Sequence, residues 1–153
     1  MTSNIKWTRE FCDLYVAEGL DKTLKWGTLG DAPSVAVNPD IIQLMKDAGC
    51  VFVIYGIESM DQTVLNNMKK GLRPEMIIQG VEDTLKVGIS PGLIFIFGNK
   101  GDNKKTIKKA VDFLIKYDDF SEKRTIRPVT PYPGSPLYYD AIESGLLDKE
   151  RPV

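Results

Sequence analysis

The chain contains 153 residues, 42% of them hydrophobic, and its 20 basic residues nearly balance its 21 acidic ones. This length predicts one domain, residues 1–153, and the small net charge gives no electrostatic reason to expect a nucleic acid or an anionic membrane surface as a partner. Because no apolar run approaches the ~20 residues of a membrane span and no apolar signal core begins the chain, we expect a cytoplasmic protein without a membrane partner.

The sequence has no histidine, which excludes Ser-His and Cys-His triads and histidine-ligated zinc or iron sites. Its two cysteines, Cys12 and Cys50, are too far apart in sequence to form a typical pair of metal ligands. Cys12 lies in a helical pattern and Cys50 immediately precedes an apolar run. We therefore interpret both as small buried residues in a reducing compartment and predict no metal site on this chain.

Predicted strands and helices alternate along the chain. The strands are short apolar or β-branched runs, at 23–27, 51–55, 92–97 and 124–129. The helices have apolar residues on one face and lie at 8–18, 39–49, 61–71, 74–88, after Asn103, and at 135–145. Because each strand lies between helices, the pattern is typical of βαβ units, and we predict an α/β fold with about four parallel strands.

Capping residues set the predicted helix boundaries. Asn38 precedes Pro39 and is expected to cap the helix that begins there. Asp61 is expected to begin the next helix, which Gly71 would end.

The segment 51–71 places a carboxylate at the end of a strand. Residues 51–55 form a continuous apolar run that suits a parallel strand covered on both faces, and Gly56 is expected to end it. Glu58 and Ser59 then follow the carboxyl end of the strand, where ligands bind in parallel α/β sheets. Glu58 is therefore either a charge that favours the amino terminus of the next helix or a contact to a ligand.

Four loops are expected to follow the strand ends, at 28–31, 56–59, 98–103 and 130–136. If the strands are parallel, these loops converge on one face, which is the predicted site. The third loop, GNKGDN, has two glycines before a helix, a feature of anion-binding loops that a plain glycine-rich turn also explains. The lysines of the helix that follows fit a solvated face better than a phosphate site.

Three long segments occur in a characteristic order: LMKDAGCVFVIYGIESMDQTVLNNMKKG, LKVGISPGLIFIFGNKGDNKKT and RPVTPYPGSPLYYDAIESGLL. REFCDLYV and LKWGT precede them. This ordered set resembles the radical S-adenosylmethionine (SAM) superfamily, in particular the class that often carries a cobalamin-binding domain. The resemblance covers nearly the whole chain and implies a partial (β/α) TIM-like barrel.

The resemblance implies SAM as a cofactor, with a [4Fe-4S] cluster and, in some relatives, cobalamin. It implies that Glu58, with Ser59 beside it, contacts the ribose hydroxyls of SAM, since a carboxylate can accept a hydrogen bond from each of them. It also implies that Lys70 meets the carboxylate of SAM and that Ile96 packs on the adenine. The simpler alternatives are a helix-terminal charge for Glu58, an exposed lysine for Lys70 and core packing for Ile96.

The chain departs from the pattern of that family in three places. The cluster-binding CxxxCxxC motif is absent, so Cys12 and Cys50 alone supply no cluster site. GNKGDN stands where the family usually has Gly-x-Pro-Gly-Glu-Thr, and Lys100 thus replaces the proline that would stiffen the loop. The residues after Trp26 read GTLGDA and lack an arginine common in relatives.

We therefore predict the carboxyl-terminal part of a radical SAM core, a truncated member or fragment that is inactive alone. It would contribute the wall of the SAM pocket and part of the cavity for an unidentified small-molecule substrate. In a complete enzyme, the implied chemistry is reductive cleavage of SAM to a 5′-deoxyadenosyl radical, which abstracts a hydrogen atom from the substrate.

The alternative is a non-catalytic module that completes a barrel with a partner chain or a second copy. The first strands of such a barrel are missing here, so the sheet edge beside strand 23–27 would be open to pairing. A third reading, an ordinary phosphate-binding barrel fragment, rests on GNKGDN and the lysines alone.

Overall fold

Four parallel strands form one sheet in the computed structural model, which describes residues 2–117 and 124–148 and, at residue 124, the backbone alone. The strands are β1 (Trp26–Gly30), β2 (Cys50–Glu58), β3 (Ser90–Phe97) and β4 (Arg124–Pro128). Each pairs in parallel with the next, so the order in the sheet is β1-β2-β3-β4. The predicted α/β class with four parallel strands is confirmed.

The helices of the described residues are α1 (Ile5–Ala17), α2 (Ala32–Val37), α3 (Pro39–Asp47), α4 (Gln62–Asn67), α5 (Pro74–Lys86), α6 (Lys104–Lys116) and α7 (Pro136–Glu143), with a 3-10 turn at Leu20–Lys22. The predicted helices are all present, with ends displaced by a few residues. In the described part of the chain, none of them combines the length and the apolarity that a membrane-spanning segment requires.

The prediction of strand 23–27 is wrong in position. The hydrogen bonds of the 3-10 turn at Leu20–Lys22 extend into the start of this segment, because the backbone N–H groups of Thr23 and Leu24 both donate to the carbonyl of Leu20, at 3.1 and 2.8 Å. The strand therefore begins at Trp26 and continues to Gly30. The predicted loop 28–31 is also wrong, since its first three residues belong to β1.

Helix α2 is absent from the sequence-based predictions. Its six residues are too few for a recognisable apolar period, and two of them are valines, which favour strands. Asp31 caps it by accepting a hydrogen bond from the backbone N–H of Ser34 at 3.0 Å, and Pro33 lies in its first turn. An aspartate before a proline is the local signal that could have revealed this helix.

One predicted cap interaction and one predicted helix end differ from the structure. Asn38 occupies the cap position of α3, but its side-chain amide donates backwards to the carbonyl of Ser34 at 3.1 Å and makes no cap hydrogen bond. Helix α4 ends at Asn67, not near Gly71, because Lys69 already has a left-handed backbone (φ 55°) that no helix continues.

The helices cover one face of the sheet. Val53, Tyr55 and Leu93 are completely or almost completely buried on that face, whereas the alternate residues Ile54 and Ile94 are half-buried on the other. Strands β1 and β4 form the two edges of the sheet within the described residues. This arrangement brings the carboxyl ends of all four strands to the same side, where the candidate site lies.

Replacement of Gly80 by alanine tests the packing that supports the sheet. Gly80 lies in α5, and a Cβ atom there would overlap the backbone carbonyl of Ala32 at the start of α2. We expect Gly80→Ala to lower the free energy of unfolding by about 1–3 kcal/mol, even though alanine by itself favours a helix by about 1 kcal/mol. Urea denaturation measures this difference.

The matched control is Gln79→Ala, an exposed position on the same helix, for which the change should stay within about 0.5 kcal/mol. A Gly80→Ala protein as stable as the original would show that α2 and α5 do not approach each other closely.

Candidate functional site

A β-bulge shapes the end of strand β2. Gly56 pairs with Ile94 and Glu58 pairs with Phe95, so Ile57 is an extra residue without a partner on β3. Past the bulge, Glu58 has a left-handed backbone with φ 67°. Gly56 therefore does not end the strand, and the predicted loop 56–59 is wrong in extent because β2 continues through the bulge to Glu58.

The carboxylate of Glu58 is buried and only half satisfied. The residue is 8% exposed, and its Oε1 accepts a hydrogen bond from Lys70 Nζ at 2.9 Å. Its Oε2 is buried and has no hydrogen-bond partner. A left-handed backbone at a residue other than glycine costs about 1–3 kcal/mol, and an unsatisfied buried oxygen costs about as much again. Such paired costs are typical of residues kept for function.

Glu58 does not cap helix α4. Asp61 does so, because its Oδ1 accepts from the backbone N–H groups of Thr63 at 3.0 Å and Val64 at 3.3 Å. The simpler alternative, in which Glu58 is a charge that favours the helix terminus, is therefore not supported by a hydrogen bond from Glu58 to the first turn of α4. The carboxylate instead lies over Gly56, where a Cβ atom would approach Oε1 to 3.1 Å.

Lys70 reaches Glu58 from the tight turn after α4. The turn contains two left-handed residues, Lys69 and Gly71, and the backbone N–H of Lys70 donates to the carbonyl of Leu65 at 3.2 Å. The side chain of Lys70 is 37% exposed, compared with 10% for Glu58. The ammonium group therefore lies at the boundary between solvent and the buried carboxylate.

Ser59 is buried, and its hydroxyl oxygen accepts a hydrogen bond from the backbone N–H of Asp61 at 3.1 Å. The second carboxylate oxygen of Asp61 accepts from Lys109 Nζ at 2.6 Å. This ammonium, with smaller contributions from the backbone N–H groups of Val64 and Thr63, holds the pKa of Asp61 below its ordinary value. Ser59 and Asp61 together fix the connection between β2 and α4.

The GNKGDN loop is rigid despite the missing proline. Oδ2 of Asp102 accepts hydrogen bonds from the backbone N–H groups of Gly98 and Asn99, at 2.9 and 3.0 Å. Asn67 of α4 donates to the carbonyl of Lys100 at 2.7 Å and ties the loop to its neighbour. Because Asp102 already occupies these two N–H groups, they do not form a cradle for a phosphate.

Ile96 is half-buried near the end of β3, and its carbonyl accepts a hydrogen bond from the side chain of Asn99 at 2.8 Å. A cavity of about 300 Å³ adjoins it between α6, β3 and β4, and Glu58 and Ser59 line one end. Most of the lining is apolar, and several of the α6 residues in it are partly exposed. The structure thus brings Glu58, Ser59 and Ile96 to one region, with Lys70 attached through Glu58.

The residues present do not fit an iron–sulfur cluster. Cys12 and Cys50 are both completely buried, and burial raises the pKa of their thiols to about 11 and about 12. Both thiols are thus inert in the interior, and two of them cannot supply the three thiolates that such a cluster needs. Within residues 2–117 and 124–148, no group of three or more potential metal ligands occurs.

A family model described as the radical SAM superfamily matches residues 6–114 of the chain. The chain belongs to the radical SAM superfamily. The match extends from α1 to α6 and includes β2, the bulge and Glu58.

Curated relatives of the chain include methyltransferases. An uncharacterised methyltransferase of Pyrococcus horikoshii is 33% identical over 110 residues, which are 72% of this chain and 24% of that protein. Bacteriochlorophyllide d C-8(2)-methyltransferase of Chlorobaculum tepidum is 34% identical over 115 residues, which are 74% of this chain and 25% of the relative. The chain thus spans about a quarter of the length of these relatives.

Solved structures support the barrel fold. The radical SAM methyltransferase TsrM of Kitasatospora setae, described with cobalamin and a [4Fe-4S] cluster bound, superposes with a TM-score of 0.73 at 19% identity. The match covers 92% of this chain and 27% of TsrM. The cobalamin-dependent radical SAM enzyme OxsB gives a TM-score of 0.63 over 95% of this chain and 20% of its own. The predicted partial TIM-like barrel is thereby confirmed.

Replacement of Glu58 by glycine tests whether this position is kept at the expense of stability. Glycine removes the left-handed strain, the unsatisfied oxygen and the buried charge together, and the ammonium of Lys70, already 37% exposed, returns to solvent. We expect Glu58→Gly to raise the free energy of unfolding by about 1 kcal/mol in urea denaturation. A loss of stability larger than 1 kcal/mol would instead assign the carboxylate a structural role.

The pH dependence of stability tests the anchor at Asp61. Because the folded-state pKa of Asp61 is depressed, its contribution to stability is present above the unfolded-state value and is lost as the pH falls through the folded-state value. Lys109→Met removes the ammonium that lowers the pKa of Asp61. We therefore expect this variant to lose less stability than the original protein when the pH falls below about 4. Lys108→Met, on the same helix and away from Asp61, is the control; an equal effect of both variants would contradict this assignment.

Proposed function

We propose that this chain forms the adenosyl-binding wall of a radical SAM methyltransferase. The observation that carries the proposal is the buried carboxylate of Glu58, whose Oε2 lies at the carboxyl end of β2 without a partner. Family membership supplies SAM as the ligand class, and the names of the two relatives above supply methyl transfer as the reaction class.

A carboxylate oxygen without a partner fits the ribose of SAM. Ionised carboxylates only accept hydrogen bonds, and a ribose presents two neighbouring hydroxyl donors. Oε1 of Glu58 is engaged by Lys70, whereas Oε2 has its full accepting capacity left. We therefore assign Glu58 as the residue that binds and orients the adenosyl group, with Ser59 fixing the backbone beside it.

Ile96 and Lys70 complete the proposed pocket. In this proposal the half-buried side chain of Ile96 packs against one face of the adenine, a contact that needs only apolar area. A contact between Lys70 and the carboxylate of SAM stays a prediction, since the ammonium is already engaged by Glu58.

SAM, when it binds a complete enzyme of this superfamily, supplies a methyl group or a 5′-deoxyadenosyl radical. The cluster that reduces it needs three thiolates, which these residues do not provide, so the work we assign to this chain is binding and orientation. Cobalamin, which is bound in both solved neighbours, belongs to the same proposal for a longer enzyme.

The alternative of a non-catalytic module that pairs through a sheet edge has no supporting contact among the described residues. Edge strand β1 is available for pairing, but this holds for any open sheet. Pairing with a second copy or a partner chain, like the cytoplasmic location, stays a prediction.

Glu58→Gln tests the proposed contact. The change keeps the size of the side chain and removes its charge, and a hydrogen bond to a charged group is worth about 1.5–3 kcal/mol. We expect the affinity of the chain for 5′-deoxyadenosine, measured by isothermal titration calorimetry, to fall at least about tenfold. Glu75→Gln, an exposed carboxylate at the start of α5, is the control and should have no effect. Unchanged affinity in Glu58→Gln would remove Glu58 from the pocket.

A further inference from the structure

We propose that Lys70 and Gly56 are positioning residues that hold the Glu58 carboxylate with one oxygen engaged and the other presented to the adenosyl group. This inference rests on the proposed function and adds two residues to it. Neither would touch the nucleoside; both would act through Glu58.

The two oxygens of the carboxylate are not equivalent. Oε1 is fixed by Lys70 Nζ at 2.9 Å, whereas Oε2 is buried without a partner. The terminal torsion of a glutamate is broad and nearly free, so an unanchored carboxylate would sample many orientations. The ammonium selects one of them, and it also partners a charge that is costly to bury alone.

Gly56 makes room for the carboxylate. Its φ lies outside the left-handed region, so the backbone does not require glycine at this position. The space above it is limited, because a Cβ atom would lie 3.1 Å from Glu58 Oε1, closer than side chains usually approach, and 3.7 Å from Lys70 Nζ, an ordinary contact distance. The carboxylate therefore lies close above the bare backbone of Gly56, and a Cβ atom there would shift it by a few tenths of an ångström.

The backbone of the turn after α4 fixes the position of Lys70. It lies 12 residues after Glu58, at the end of a turn whose left-handed residues Lys69 and Gly71 reverse the chain. Its own backbone N–H is held by the carbonyl of Leu65. An ion pair between two surface side chains has no such support from the backbone and contributes little.

The experiment compares three probes by isothermal titration calorimetry: 5′-deoxyadenosine, 2′,5′-dideoxyadenosine and SAM. The first has the ribose diol and no carboxylate, the second lacks one hydroxyl, and the third has both the diol and a carboxylate. Lys70→Met should lower the affinity for 5′-deoxyadenosine about tenfold, so that the variant no longer prefers this nucleoside to 2′,5′-dideoxyadenosine. Lys70→Arg should retain that preference, and Lys86→Met, an exposed lysine on α5, should leave all three affinities unchanged.

Two further variants separate positioning from folding. In a Glu58→Gln background, Lys70→Met should have little additional effect on 5′-deoxyadenosine, because both changes remove the same contact. Gly56→Ala should lower the affinity for 5′-deoxyadenosine several-fold, and its circular dichroism spectrum should match that of the original protein.

The possible failures are distinct. If the original chain binds both nucleosides equally, or binds neither, the diol contact and with it the proposed function are wrong. If it prefers the diol but Lys70→Met preserves that preference, the proposed function stands and this inference is wrong. Loss of SAM affinity alone in Lys70→Met would show that Lys70 contacts the ligand carboxylate directly, which also overturns the inference.

Discussion

The end of strand β2 depends on one extra residue. Because β3 does not pair with Ile57, the backbone turns at this point and Glu58 enters the left-handed region. Residues two apart on a strand share a face, so Glu58 stays on the side of Gly56, and the bulge changes the course of the backbone that carries it. The ion pair with Lys70 and the unpartnered oxygen both lie at this local irregularity.

The surroundings of the bulge are rigid, as an irregular backbone requires. Tyr55 is fully buried beneath it and its hydroxyl contacts Thr84 at 2.7 Å, while Thr84 in turn donates to the carbonyl of Gly80. Asp61 fixes the following helix through its cap and through Lys109. Strain at one residue persists only where its neighbours leave no alternative, and this site meets that condition.

Sequence patterns located the site because they report on burial. The apolar run of β2 and the polar residues after it were sufficient to place Glu58 at a strand end. The bulge was not predictable, since it depends on how β2 pairs with β3 and no local pattern encodes that. For the same reason the pair between Glu58 and Lys70 has no local signal, because the two residues lie on either side of α4 and meet only when the chain folds back after that helix. Helix α2 was missed because six residues carry too little periodicity.

A proline and a set of hydrogen bonds stabilise a loop in different thermodynamic ways, and the GNKGDN loop relies on hydrogen bonds. A proline restricts the unfolded chain as well as the folded one, so its effect does not depend on neighbouring elements. The hydrogen bonds of Asp102 lie within the loop, whereas the one from Asn67 to Lys100 exists only when the loop and α4 are in place together. The loop is therefore coupled to α4. When the helix opens locally, we expect the backbone amides of the loop and of α4 to exchange their hydrogens together.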